Sequence, residues 1–173
     1  MNVGLLLIHA FIGALLVGHG SQKLFGVFGG YGLSGTGSYL ESFGLRPGRL
    51  FAFAAGAAEL TGGLAFAAGF ATPVAAALIA ATMLVAARTD HAGKGLWIFT
   101  GGAEYVLTNA AVVFGLAFNG AGTWSVDHAI GWGLQGTWWG IGATIAAFVG
   151  AGGILALRNV QVRRAHGAPV PVS

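Results

Sequence analysis

No cysteine occurs in the chain, so disulfides, thiolate catalysis, cysteine-ligated zinc and iron–sulfur clusters are excluded. Charge is nearly as scarce. Only 8% of the 173 residues are Asp, Glu, Lys or Arg, whereas 55% are hydrophobic, and a soluble domain of this length could not clothe its surface with so few solvated groups. The expected surroundings are therefore a lipid bilayer. No basic segment precedes the first apolar run and Lys23 follows it, so this run is expected to stay as a span and not to be removed as a signal peptide. No metal-ligating set is read from the residues.

What is present is apolar length. Runs at residues 3–22, 50–69, 73–87, 97–118 and 135–157 approach the roughly 20 residues that a helix needs to cross a hydrocarbon core. The third run is short, and Arg88 at its end can snorkel to the headgroups. Between the second and third, Gly69-Phe70-Ala71-Thr72-Pro73 reads as a tight turn, with Thr72 as N-cap and Pro73 at the first helical position. The fold class is all-α, a polytopic transmembrane helical bundle with about five crossings.

Charge placement supports that count. With five spans, the 8 basic residues, namely Lys23, Arg46, Arg49, Arg88, Lys94, Arg158, Arg163 and Arg164, fall on a single side. Because cytoplasmic loops are enriched in Lys and Arg, the N-terminus is expected outside and the C-terminus in the cytoplasm. Trp124, Trp132, Trp138 and Trp139 then gather at the outer interface and Trp97 at the inner one, where amphipathic rings belong. The arginines that follow the last span are a topology and headgroup anchor, and no nucleic-acid partner is expected.

The 32 glycines permit close helix approach in a solvent where association depends on packing, and Gly136 with Gly140 fits a small-xxx-small contact. Residues 29–37 are expected to form a flexible loop leading to a short surface helix around residues 39–43. They do not read as a phosphate cradle, because no strand precedes them and no Lys-Ser/Thr follows.

Four ionisable residues lie where lipid would not tolerate them. His19 and Lys23 are four apart and share one face of the first span. Counted along the helical rise from the basic side, Glu59 lies about 14 Å deep, Glu104 about 10 Å and His19 about 6 to 10 Å, while Lys23 can reach the headgroups. Gly56 and Gly63 flank Glu59 on its face, and Gly101 and Thr108 flank Glu104, so both acids are expected to point at neighbouring helices. Two carboxylates then face one certain cation and one histidine, an imbalance that requires a shared or held proton. A functional pathway or binding site and a purely structural network both fit. His9, near the other end of the first span, falls close to the same stripe. It is about 15 Å from His19 along the helix, so the two cannot form one bis-histidine haem site. Asp127 and His128 could hold a cation or proton, or Ser125 or Asp127 could cap a helix.

Several fragments resemble the DoxX family of small bacterial integral membrane proteins. They are Gly13 followed by His19-Gly20-x-x-Lys23-Leu24 and Gly26; Glu59-x-x-Gly62-Gly63 with Gly69 and Thr72; and Glu104-Tyr105 with Gly120-x-Gly122-x-x-Ser125-x-Asp127. The resemblance covers about residues 5–128. It implies a four-helix membrane core over residues 1–134, to which this chain adds a further span at 135–157 and a basic, flexible cytoplasmic tail at 158–173. It also implies a multi-pass protein of the bacterial inner membrane, linked to redox metabolism through quinol oxidase, thiosulfate-oxidising and oxidative-stress partners. His19, Lys23, Glu59, Glu104 and Asp127 occupy its signature positions. One departure is His9, which stands where the family often has an arginine.

Three readings follow. In the first, the chain is a membrane subunit of an oxidoreductase assembly, and His19, Lys23, Glu59, Glu104, His9 and Asp127 are candidates for binding a quinone-like molecule or relaying protons. The residues reveal no redox centre intrinsic to the chain, so electrons would come from a partner or from the ligand, and catalysis by the chain itself is left open. In the second, it is a non-catalytic scaffold that docks other membrane proteins or a second copy of itself. In the third, it is a small transporter or proton pathway, although it shows no inverted repeat and no pair of proline-broken helices.

Overall fold

The computed structural model describes residues 2–167, and over that range the chain is helical with no strand. The helices are α1 (Asn2–Phe25), α2 (Gly32–Ser42), α3 (Gly48–Ala68), α4 (Thr72–Arg88), α5 (Glu104–Asn119), the single turn α6 (Val126–Ala129) and α7 (Thr137–Gly167). Three helices are long and apolar enough to cross a bilayer, at Val3–Phe25, Gly48–Ala68 and Thr137–Ala165. α4 is apolar but has 17 residues, and α5 has 16. Both lie within the same bundle: α1 packs on α3, α3 on α4, and α4 on both α5 and α7.

Backbone chemistry sets the boundaries. Gly69 ends α3 in the left-handed region at φ +59, a conformation that glycine adopts without a Cβ clash. Thr72 does not cap α4 with its own side chain, as the sequence had led us to expect. Ala71 occupies the cap position, and the hydrogen bonds are supplied from α6: Ala71 N–H donates to Asp127 Oδ1 at 2.7 Å, and Thr72 N–H donates to Oδ2 at 3.1 Å. The expected fourth span at 97–118 is also corrected. Ile98–Thr100 is a 3-10 turn, Gly101 follows at φ +76, and the helix begins only at Glu104. Leu96, Trp97, Ile98 and Phe99 precede it as an exposed apolar segment.

Two further expectations change. Residues 29–37 are not a flexible loop throughout, because α2 starts at Gly32 and lies over the first turn of α3. A Cβ on Gly37 would come within 2.9 Å of Arg49 N, so its glycine reflects that approach. The tail expected from 158 onward begins as helix. α7 continues through residue 167, and residues 168–173 of the expected tail lie outside the described range.

The most extensive helix contact joins α1 to α3. A Cβ on Gly20 would sit 2.6 Å from Leu60 N, and one on Gly13 would sit 2.6 Å from the Gly63 carbonyl oxygen. These glycines allow the two backbones to touch, the packing that substitutes for a hydrophobic driving force in lipid. On α7, Gly140 packs against the Phe118 ring, while Gly136 has open space around its Cβ direction. Gly136 meets the same residue through its backbone, its N–H donating to the Phe118 carbonyl at 2.7 Å, so both glycines of the expected pair contact Phe118. Around Leu16, Phe66, Ile79, Met83 and Val113, all at most 3% exposed, alanines from α4, α5 and α7 complete the core.

Candidate functional site

All 8 basic residues lie at one end of the bundle, hereafter the basic end, where α1, α4 and α7 finish and α3 and α5 begin. Lys23, in the last turn of α1, does not reach outward. The Gly56 surface lies under its stem, and its ammonium turns inward to donate to Glu59 Oε2 at 2.5 Å. Glu59 is 2% exposed, and a buried carboxylate is tolerated when paired and hydrogen-bonded. The pair is neutral overall.

His19, one turn before Lys23, completes the group. Its imidazole lies within electrostatic reach of Lys23 and Glu59, and beside Gln22. Its ring is tilted over Tyr105 of α5, centroid to centroid 5.4 Å. Asn109, one turn further along α5, donates from its amide to the Tyr105 carbonyl at 2.9 Å. The Tyr105 hydroxyl and Asn109 Oδ1 are buried without hydrogen-bond partners among the described residues. Tyr105 and Asn109 were missed as site residues. The available signal was their i, i+4 spacing, which places two polar groups on one helix face, but that face could not be aimed while the start of the helix was set seven residues too early.

A cavity of about 700 Å³ opens beside this group at the basic end, lined by Gln22, Lys23, Tyr31, Thr36 and Tyr39 together with glycines of the α1–α2 loop and α2. It is half open to its surroundings. α2 forms one wall. The Tyr39 hydroxyl fastens that wall to the α4–α5 connection by donating to Asp90 Oδ1 at 2.7 Å, and Lys94 donates to the same oxygen at 3.0 Å. Burial raises the Tyr39 phenol, aided by its hydrogen bond to Asp90, to about 12. Burial alone would raise the Asp90 carboxyl, but the bonds from Tyr39 and Lys94 outweigh it and hold the carboxyl below its ordinary value.

The remaining candidates lie elsewhere. Glu104 does not join the cluster: it is the first residue of α5, and its Oε2 accepts from Ile98 N–H at 2.9 Å. The expected excess of two carboxylates over one cation therefore does not exist. His9 is at the opposite end, 2% exposed, its ring tilted against Phe66 at 4.3 Å and bonded through Nδ1 to the Phe66 carbonyl at 2.8 Å. Asp127 faces it electrostatically but is engaged in capping α4. Ser125 caps α6 by accepting from His128 N–H at 3.2 Å. Between the two polar ends, Leu16 is fully buried and Gly13 closes against Gly63.

All 5 acids are thus engaged. Glu59 and Asp90 are in ion pairs, Asp127 and Glu104 hold backbone donors, and Glu41 Oε1 accepts from Gly48 N–H at 2.7 Å at the start of α3. Among the described residues no three His, Cys, Asp or Glu side chains form a metal-binding group.

The DoxX family model matches residues 4–92, slightly more than half of the chain. His9, His19, Lys23 and Glu59 fall inside the match; Glu104 and Asp127 fall outside it. No curated protein and no solved structure matches the chain.

Proposed function

The chain belongs to the DoxX family and is a multi-pass helical membrane protein, and from that premise we propose that it is the membrane subunit of a redox-associated complex that binds a quinone-like molecule at the basic end. The observation that carries this reading is the cavity of about 700 Å³ with Lys23 in its wall, next to the neutral Lys23–Glu59 pair and His19. An aromatic head group entering there meets Tyr31 and Tyr39 and can place a carbonyl against the Lys23 ammonium, a charge-assisted hydrogen bond. Lys23 can exchange a proton with the ligand's oxygen, with Glu59 and His19 behind it as its own proton partners, while electrons come from a partner protein. The basic end is assigned to the cytoplasm of a bacterial cell and the opposite end to the outside.

Titration of a quinone analogue into the detergent-purified protein tests this. Lys23→Gln and Glu59→Gln should weaken binding about 10- to 100-fold, as expected for loss of a charged hydrogen bond, while Glu104→Gln should bind as the parent does. Equal binding by all three variants would refute the site. A second reading, a scaffold without catalysis, draws support from α7, which buries Ala143, Ala147 and Ala151 yet turns Trp138 and Phe148 outward at 84% and 57% exposure. The closed packing around Leu16 and Gly13 counts against a transport path along α1.

A further inference from the structure

A second cleft, about 260 Å³, lies at the basic end between two segments 115 residues apart in sequence that are hydrogen-bonded to each other. One side is the α2–α3 connection, with Phe43, Gly44 and Arg46; the other is the last part of α7, with Arg158 and Gln161. The Gln161 amide grips the Arg46 backbone twice: Arg46 N–H donates to Oε1 at 2.9 Å, and Nε2 donates to the Arg46 carbonyl at 2.5 Å. Arg158 Nε donates to the Phe43 carbonyl at 2.6 Å. Gly44, at φ +86, permits the close approach of Val162.

This clasp fixes the Arg158 guanidinium and the backbone of Arg46, and neutralises neither arginine. The ion pairs among the described residues are Lys23–Glu59 and Lys94–Asp90, so neither arginine has a carboxylate partner. Glu41 also lines the cleft; its Oε1 accepts from Gly48 N–H, and the two arginines outnumber its single negative charge. Arg158 has used Nε and one Nη1 donor, the latter on Asn159 Oδ1 at 3.2 Å, and a guanidinium carries five donors. Arg158 is also the first charged residue after the apolar run of α7, with Leu157 and Val160 beside it 57% and 46% exposed. A first charge after an apolar run suits the level of the headgroup phosphates, here with an apolar surface adjoining.

We propose that this cleft binds the phosphate of an anionic phospholipid from the leaflet at the basic end, with Arg46 and Arg158 as its donors. The arginine geometry suits a phosphate, and the ligand couples the end of α7 to the α2–α3 connection. The proposal does not depend on the quinone reading.

Native mass spectrometry of the full chain, equilibrated with phosphatidylglycerol and phosphatidylcholine in mild detergent, tests it. One phosphatidylglycerol should remain bound under conditions that strip phosphatidylcholine. Arg46→Gln should lower its occupancy about fivefold, the worth of one basic residue near an anionic surface, and Arg158→Gln should do likewise. Arg163→Gln with Arg164→Gln, which removes exposed charge outside the cleft, should leave it bound. Equal loss from that control pair would overturn the proposal in favour of general surface charge, and unchanged retention in Arg46→Gln would overturn it outright. Displacement by inorganic phosphate at matched concentration would also overturn it, since the site would then take the free anion. If Arg158→Gln fails to fold, Arg46→Gln decides alone, because Gln161 grips the backbone of residue 46 and not its side chain.

Discussion

At the residue scale, the fate of each carboxylate determines what the site can do. Glu59 alone among the acids is paired within the bundle interior, and removing its charge strands the Lys23 ammonium. Lys23 is about a quarter exposed, with side-chain exposure of 26%, so the loss should fall at or below the low end of the buried-pair range, at most about 3 kcal/mol. Glu59→Gln should therefore melt well below the parent in detergent, whereas Glu104→Gln, which gives up one surface hydrogen bond, should shift by at most about 1 kcal/mol. Of the two roles the sequence left open for Asp127, holding a cation or proton and capping a helix, the structure shows capping, though of α4 and not of its own helix. It accepts three hydrogen bonds from Ala71 and Thr72, and Asp127→Ala should cost about 2 kcal/mol, the upper range for a lost cap, by thermal melting. If Asp127→Ala leaves the melting temperature unchanged, its assignment as the α4 cap is wrong.

At the element scale, glycine content means little until the contacts are known. Gly18 and Gly20 are two residues apart on α1, yet a Cβ on Gly18 meets nothing within 4 Å, while one on Gly20 runs into the α3 backbone. Gly20→Ala should destabilise the α1–α3 pair by about 1 to 3 kcal/mol through overpacking, and Gly18→Ala should be neutral or stabilising by up to about 1 kcal/mol. A differential melt of the two variants checks this directly. The α2 wall has a different dependence. Because the folded Asp90 carboxyl is depressed, its contribution is full above the ordinary carboxylate range and fades as pH falls through its folded value. Because the Tyr39 phenol is raised to about 12, its contribution is full below the ordinary phenol value and is lost as pH rises towards 12. Hydrogen exchange of the α2 amides, corrected for the intrinsic pH dependence of exchange, should thus show steady protection from mildly acidic to mildly alkaline pH and local loosening beyond both limits. Tyr39→Phe should remove the protection throughout.

At the scale of the whole molecule, the segregation of charge makes orientation testable, and the absence of native cysteine makes the test clean. Single cysteines at Ser38 and Asn159, at the basic end, should react with an impermeant maleimide only after the cell is opened. A cysteine at Thr123, at the other end, should react in intact cells. The reverse pattern would invert the proposed topology. It would leave the cavity in place but move the quinone-like ligand and its partner to the other side of the membrane.

Composition, apolar run length and the one-sided placement of Lys and Arg were sufficient to read a helical membrane bundle, because burial in lipid selects for apolar length regardless of neighbours. The Lys23–Glu59 group was legible as far as its members on α1 and α3, since helical spacing places side chains on a face without knowledge of the partner. Which face met which helix was not legible. The turn at Ile98–Thr100 shifted the start of α5, took Glu104 out of the cluster, and brought Tyr105 and Asn109 to His19 instead. Asp127 could not be assigned to α4 from spacing, because its partners lie 55 and 56 residues away. Periodicity is a local property, whereas caps, clasps and buried pairs depend on which distant segments pack together, and only the tertiary structure decides that.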